Sequence, residues 1–328
     1  MIYQNIIFIC ASIFEIPSLL LLITIQVILI LPSMKNKFTS TFYSLLFWNG
    51  NIDILSYLVF TIHHRFPNYG IFINLYYNLY LNKVDVRILE FLRSYTIVSQ
   101  LIGTFFLSLN RFTSLAFPVK HKLLWEKLLP FSLVTKFLLS LILTWPLLCD
   151  KMCYILQDSS NVNIGFRAKW FSNNAGWYNS FIFMTVLTFI FLLASLILNL
   201  STLLILLKIS KESHKVNVNG NAKNKFNFKR ERNFFITVLA TFIGQLILGI
   251  DNYVSGYFNQ TKQYSNFYIM VMVFPIVNDL TIFPSTWVLF FISTSIRKSV
   301  FDCCNRKKKS LKIISPSHVQ ISKRSLLI

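Results

Sequence analysis

Charge is what this sequence has least of, and acids above all. Only 13% of the 328 residues are charged, with 12 Asp and Glu against 32 Lys and Arg. A water-soluble domain carries about 25% charged residues, so this chain cannot coat a water-facing surface. Nine glycines form no phosphate-cradling loop, and neither HExxH nor GxSxG occurs, which speaks against an enzyme. The five cysteines lack the paired spacing of a zinc site, and no cofactor or metal is expected. His63 and His64 read as loop residues with no other ligands nearby.

What the chain has is apolar length. Its composition is 54% hydrophobic, with 33 Phe, and its mean hydropathy is +0.56. A helix needs about 20 mostly apolar residues to cross a hydrocarbon core of about 30 Å. Seven windows qualify, approximately 7–31, 41–62, 94–116, 131–149, 177–207, 233–255 and 267–292. The expected fold is an all-α membrane protein, a bundle of seven transmembrane helices in one unit over 1–293. A basic tail follows over 294–328. The first window has no basic residues ahead of it and is too long for a signal-peptide core, so it reads as a retained span. Residues 71–81, "IFINLYYNLYL", are too short and too polar to cross and suit the interface, where Tyr is favoured. No repeat links the windows.

Lys and Arg concentrate on the cytoplasmic side of membrane proteins. With the amino terminus outside, 23 of them fall inside and 8 outside, with Lys136 within the fourth window. The inner set is Lys35 and Lys37, then Arg111 to Lys127, then Lys208 to Arg232, then the tail. A net charge of +20 is therefore topology rather than a nucleic-acid surface. Asn259-Gln260-Thr261 is a glycosylation sequon in the last outer loop. Lys136 is expected to snorkel inward.

Arg111 stands at the inner end of the third window, Glu231 at the inner entry of the sixth. Either the two close the inner ends of their helices, or Arg111 only anchors its helix while Glu231 pairs with Arg230 or Arg232. Asp53 near a helix centre needs polar company. Asn49 lies one turn away, and Gln100, Asn278 and Asp279 lie at similar depth. Glu15, Tyr95, Ser99 and Asp251 sit in the outer halves and are candidates for a ligand pocket. The stretch 208–232 is Asn- and Lys-rich and reads as a flexible inner loop. "STSIRKSVFDCCNRKKK" reads as a short amphipathic helix on inner-leaflet lipid, with Cys303 and Cys304 as lipidation candidates.

"SLNRFTSLAFPVKHKLLWEKLLPF" resembles the nematode serpentine receptors of class gamma: Asn110-Arg111, a Thr-Ser pair, a proline, then a basic loop with a Trp. "KRERNFF" and "NDLTIFPSTWVLFFISTSIRKSVF" are similar to that family as well. The resemblance implies a G-protein-coupled chemosensory receptor of the cell membrane, in that family one of sensory neurons. It implies an extracellular small-molecule or peptide ligand and a heterotrimeric G protein as partners. It gives Asn110, Arg111 and Glu231 the coupling switch. The Asp53 cluster is then either a hydrogen-bonded knot or a sodium site. Asp279 with Pro284 resembles a loosened Asn-Pro motif. Asn110 stands where rhodopsin-like receptors carry an acid, no Cys begins the third window, and the sixth has neither Trp nor Pro. A ligand-gated channel or transporter is the alternative, and it would require a continuous polar path.

Overall fold

The computed structural model describes residues 2–31, 40–157, 161–162, 165–171, 180–215 and 222–301. Seven long helices dominate: α1 (Ile2–Ile30), α2 (Thr41–Phe60), α4 (Arg87–Ala116), α5 (His121–Thr144), α6 (Ser180–Lys215), α7 (Ala222–Gln260) and α8 (Tyr264–Ile292). The interfacial segment is helical as α3 (Ile73–Leu81). Helix α5 starts well before residue 131, so most of the basic stretch after Pro118 is helix rather than loop. Helices α6 and α7 likewise extend into the stretch expected to be flexible.

Six of the seven are long and apolar enough to cross a membrane; α4 is not among them. Its sequence explains why. Ser94, Thr96, Ser99, Gln100, Thr104, Ser108, Asn110 and Arg111 all lie on α4, and all are buried. A helix wrapped by other helices meets protein on every side, so its polar groups find partners there instead of facing hydrocarbon. The lipid-facing character lies on its neighbours, as in Leu138 and Ile142 of α5 or Phe189 and Leu204 of α6, all exposed.

The all-α expectation needs one correction. The segment after α5 folds as an antiparallel hairpin, β1 (Met152–Leu156) with β2 (Phe166–Trp170). Tyr154 and Phe166 of this hairpin pack with Tyr76 of α3 in a separate apolar cluster. Burial pushes the Tyr76 phenol up to about 12 and raises that of Tyr154 as well, so both remain neutral donors. Gly165 has φ +108 and sits against the chain end of α2. A Cβ there would lie 2.2 Å from the Pro67 carbonyl oxygen.

Helix α2 continues through a π turn (Thr61–Arg65) and a short α turn (Phe66–Asn68). Trp48, Asn51, Leu55, Leu58 and Ile62 mark its exposed stripe, and the 3.6-residue period would expose the position of Arg65 or Phe66 next. The wider turn resets that phase, and Arg65 is only 2% exposed.

Helices α7 and α8 meet at Gly244. A Cβ at this position would lie 2.3 Å from the Leu280 carbonyl oxygen. Pro284 has no N–H to offer that carbonyl four residues back, so the glycine admits a neighbouring backbone to an acceptor the helix leaves open. Pro275 and Pro284 both lie inside an unbroken α8. Beyond it residues 294–301 are helical, and Ile296 and Val300 pack on Ile25 and Ile28 of α1. Cys303 and Cys304 lie outside the described residues.

Candidate functional site

The buried polar side chains form three layers along the bundle. At one end, Arg111 donates from Nη1 to Glu231 Oε2 at 2.9 Å, joining α4 to α7. Its Nη2 donates to the neighbouring Asn110 Oδ1, and Asn110 Nδ2 donates to Thr41 Oγ1 at 3.0 Å. The guanidinium lies between two rings, 4.3 Å from the centroid of Phe42 and 4.8 Å from that of Phe234. Ser114 Oγ also donates to Glu231, at 3.2 Å. Asn110 can accept from Arg111 but offers no charge, so Glu231 supplies the carboxylate. Because Asn110 and Arg111 are consecutive while Glu231 belongs to another helix, the Arg111–Glu231 ion pair is interhelical.

The middle layer joins α2, α4, α5 and α7. Gln100 Nε2 donates to Asp53 Oδ1 at 2.8 Å. Lys136 Nζ donates to Asn49 Oδ1 at 2.6 Å and to the Trp48 carbonyl at 3.4 Å. Gln245 Nε2 donates to the Gln100 carbonyl at 2.8 Å. Lys136 therefore does not snorkel. It is only 2% exposed, and it faces the bundle because an amide acceptor lies there for it. Two glycines make the room: a Cβ on Gly103 would lie 2.4 Å from Asn49 Oδ1, and one on Gly50 would meet the Gln26 amide.

The third layer was not visible in the sequence. Arg65 donates from Nη1 to Glu15 Oε2 at 2.5 Å and from Nη2 to Asp279 Oδ1, tying α2 to α1 and α8. The same Nη2 reaches the Pro275 carbonyl at 3.2 Å, and the guanidinium stacks 4.7 Å from the Tyr57 ring centroid. Two carboxylates thus share one arginine. The expected single cluster is divided. Asn49, Asp53 and Gln100 stay together, Asp279 goes to Arg65, and Asn278 accepts from Ser56 at 3.5 Å.

The four pocket candidates do not form one pocket, although the side chains of Tyr95 and Ser99 are hydrogen-bonded to each other. Glu15 is engaged by Arg65. Ser99 donates to Ser140 at 2.9 Å, facing α5. Tyr95 is half-buried against Phe91. Asp251 is buried with its Oδ2 lacking a hydrogen-bond partner. Asn259 falls in the last turn of α7, and its side chain lies outside the described residues. An open hollow of about 560 Å³ lies instead beside α3, lined by Gly70, Phe72, Ile73, Asn74 and Leu75.

His63 and His64 require a correction as well. They lie in the π turn of α2, not in a loop, and Glu90 of α4 is beside them. Cys153 is a free thiol. Burial raises the Cys153 thiol above its ordinary value, and its Sγ lies 3.4 Å from the Lys83 carbonyl.

A helical bundle with a polar central helix, charged layers sealed inside and apolar flanks facing outward is the build of a multi-pass membrane protein. The family profile described as "Serpentine type 7TM GPCR chemoreceptor Srv" matches residues 8–305, and the chain belongs to that family. It is a chemoreceptor-family protein of the cell membrane. The class is V, where the sequence motifs resemble class gamma. Those motifs cluster at helix ends, and sister classes share this architecture. A Caenorhabditis elegans protein, "Serpentine receptor class V-1", is 28% identical over 98 residues, which is 30% of this chain and 30% of that relative. The match thus spans less than a third of the relative's length.

Proposed function

We propose that this chain is a chemosensory receptor in which an extracellular small molecule or peptide frees the inner end of α7 for a heterotrimeric G protein. In this reading α4 is the seventh crossing, the amino terminus is outside and the basic tail is in the cytosol. The charge bias of 23 to 8 supports that orientation. Arg65, Arg87 and Arg93, three of the eight outer cations, are paired with acids, which leaves the outer face less positive than its count suggests.

The carrying observation is the Arg111–Glu231 contact. It closes α4 on α7 at the end where the long basic helix extensions lie. A two-state contact of this kind is what a distant ligand can bias. Asp251, buried with an unpartnered oxygen in the outer part of α7, is the residue we assign to the ligand. Cys303 and Cys304, next to a basic run, would fix the tail to inner-leaflet lipid once acylated. Asn259 would carry glycan only on an outer loop.

The channel reading draws on the charged layers inside the bundle. Each is closed by partners from neighbouring helices, and the cavity lined by Gln26, Asp53, Ser285 and Thr286 holds about 20 Å³, room for one water. That favours a signalling bundle over a conduction path. A ligand screen on cells expressing the chain tests this, reading second messengers and membrane current together. A ligand response lost with the G proteins supports the receptor; a ligand-evoked current that survives their loss makes it a channel.

A further inference from the structure

We propose that His63, His64 and Glu90 form a binding site for a divalent metal ion of the Zn²⁺ type, between the π turn of α2 and the first turn of α4. Consecutive residues of a regular α-helix point about 100° apart, so neighbouring histidines seldom serve one ion. Here both lie in the π turn, and their ring centroids are 4.6 Å apart. One donor atom from each of the three residues falls within 4.8 Å of the others.

Zinc holds nitrogen and oxygen ligands at about 2.0–2.1 Å, which places tetrahedral neighbours about 3.3 Å from one another. His63 Nε2 and Glu90 Oε2 are 3.2 Å apart, already the edge of such a tetrahedron. The His64 ring would turn to bring in the third donor, which lies within 4.8 Å of the other two. Its Nε2 is buried and has no hydrogen-bond partner; an imidazole nitrogen in that condition costs free energy that a metal bond recovers.

The surroundings hold the ligands in place, as outer partners do in metal sites. Tyr154 Oη lies 3.1 Å from His63 Nδ1, and Arg93 Nε donates to Glu90 Oε2 at 2.8 Å. When His63 Nε2 binds the ion, its Nδ1–H donates to Tyr154. The Arg93 charge opposes a cation, so the affinity is micromolar and not that of a structural zinc. Three protein donors leave the fourth position open to water or to a donor atom of a solute. That this position faces the outside rests on the orientation proposed above; the binding does not.

The test uses the full chain purified in detergent, with Zn²⁺ titrated calorimetrically and Co²⁺ followed by visible absorption. One equivalent of Zn²⁺ should bind in the micromolar range, and Co²⁺ should give the strong bands of a tetrahedral site. His64→Phe keeps the packing on Phe60 and Phe274 and should weaken binding about tenfold or more, whereas His121→Asn should leave it unchanged. Absence of saturable micromolar binding overturns the proposal, as does a folded His64→Phe that binds like the parent. If that variant does not fold, the parent's Co²⁺ spectrum decides, and weak octahedral-type absorption alone overturns it.

Discussion

Arg111 on α4 and Glu231 on α7 meet at 2.9 Å, and the residue beside Arg111 is an asparagine that takes one of its N–H groups without competing for its charge. Between these two neighbours, the Coulombic preference of the guanidinium is directed across the helix interface. An acid at Asn110 would divide it.

Glu231→Gln should therefore raise ligand-independent signalling. A hydrogen bond to a charged partner is worth about 1.5–3 kcal/mol, so the resting equilibrium shifts by roughly tenfold to a hundredfold. Asn110→Asp should act in the same direction with less effect. Basal second-messenger output at matched surface expression reads both, and unchanged output in Glu231→Gln contradicts the lock.

Two carboxylates share Arg65, so removing one acid and removing the base have opposite consequences. Arg65→Leu leaves Glu15 and Asp279 buried and uncompensated, at about 3–5 kcal/mol, and should abolish surface expression. Glu15→Gln leaves Arg65 paired with Asp279 and should be tolerated. Surface staining of the two variants side by side checks this.

Lys136 is buried on an uncharged acceptor, Asn49, with Asp53 in the same layer. Lys136→Met removes one buried partner and should lower thermal stability in detergent. Adding Asp53→Asn to it, which discharges the acid left behind, should recover most of the loss, because uncompensated buried charge is what costs. Melting temperatures of the single and double variants give the comparison.

Gly244→Val places side-chain carbon where the Leu280 carbonyl already stands. The strain of forcing α7 and α8 apart is about 1–3 kcal/mol, and the inner end of α7 should move with it. A lowered melting temperature together with raised basal signalling is the expected pair of results.

Apolar windows announce all seven long helices, 94–116 for α4 among them, although α4 is less apolar than the other six. The polar residues of α4 mask its place in the bundle, since their partners belong to other helices. The meeting of Arg111 and Glu231 is one of two readings that their positions at two helix ends leave open, and the contact decides between them. The middle layer was half legible: spacing along α2 links Asn49 to Asp53, but nothing in one chain states how α5 is rotated about its axis, and that rotation brings in Lys136. The triad of Arg65, Glu15 and Asp279 and the two histidines were hidden for a further reason. A helix period continued through residues 61–65 leaves Arg65 on the exposed side, and the π turn removes that conclusion by adding a fraction of a turn. The hairpin Met152–Leu156 with Phe166–Trp170 was missed because it packs on α3 and the end of α2 outside the helical core.

The account depends most on α4 crossing the bilayer despite its polarity, with the tail inside. Small epitope tags at the two termini, stained before and after permeabilisation, measure this directly. Seven crossings in the proposed sense predict an amino-terminal tag reached on intact cells and a carboxyl-terminal tag reached only after permeabilisation. Both tags on one side would mean an even number of crossings, leaving α4 outside the count and Arg111 without the inner position assigned to it.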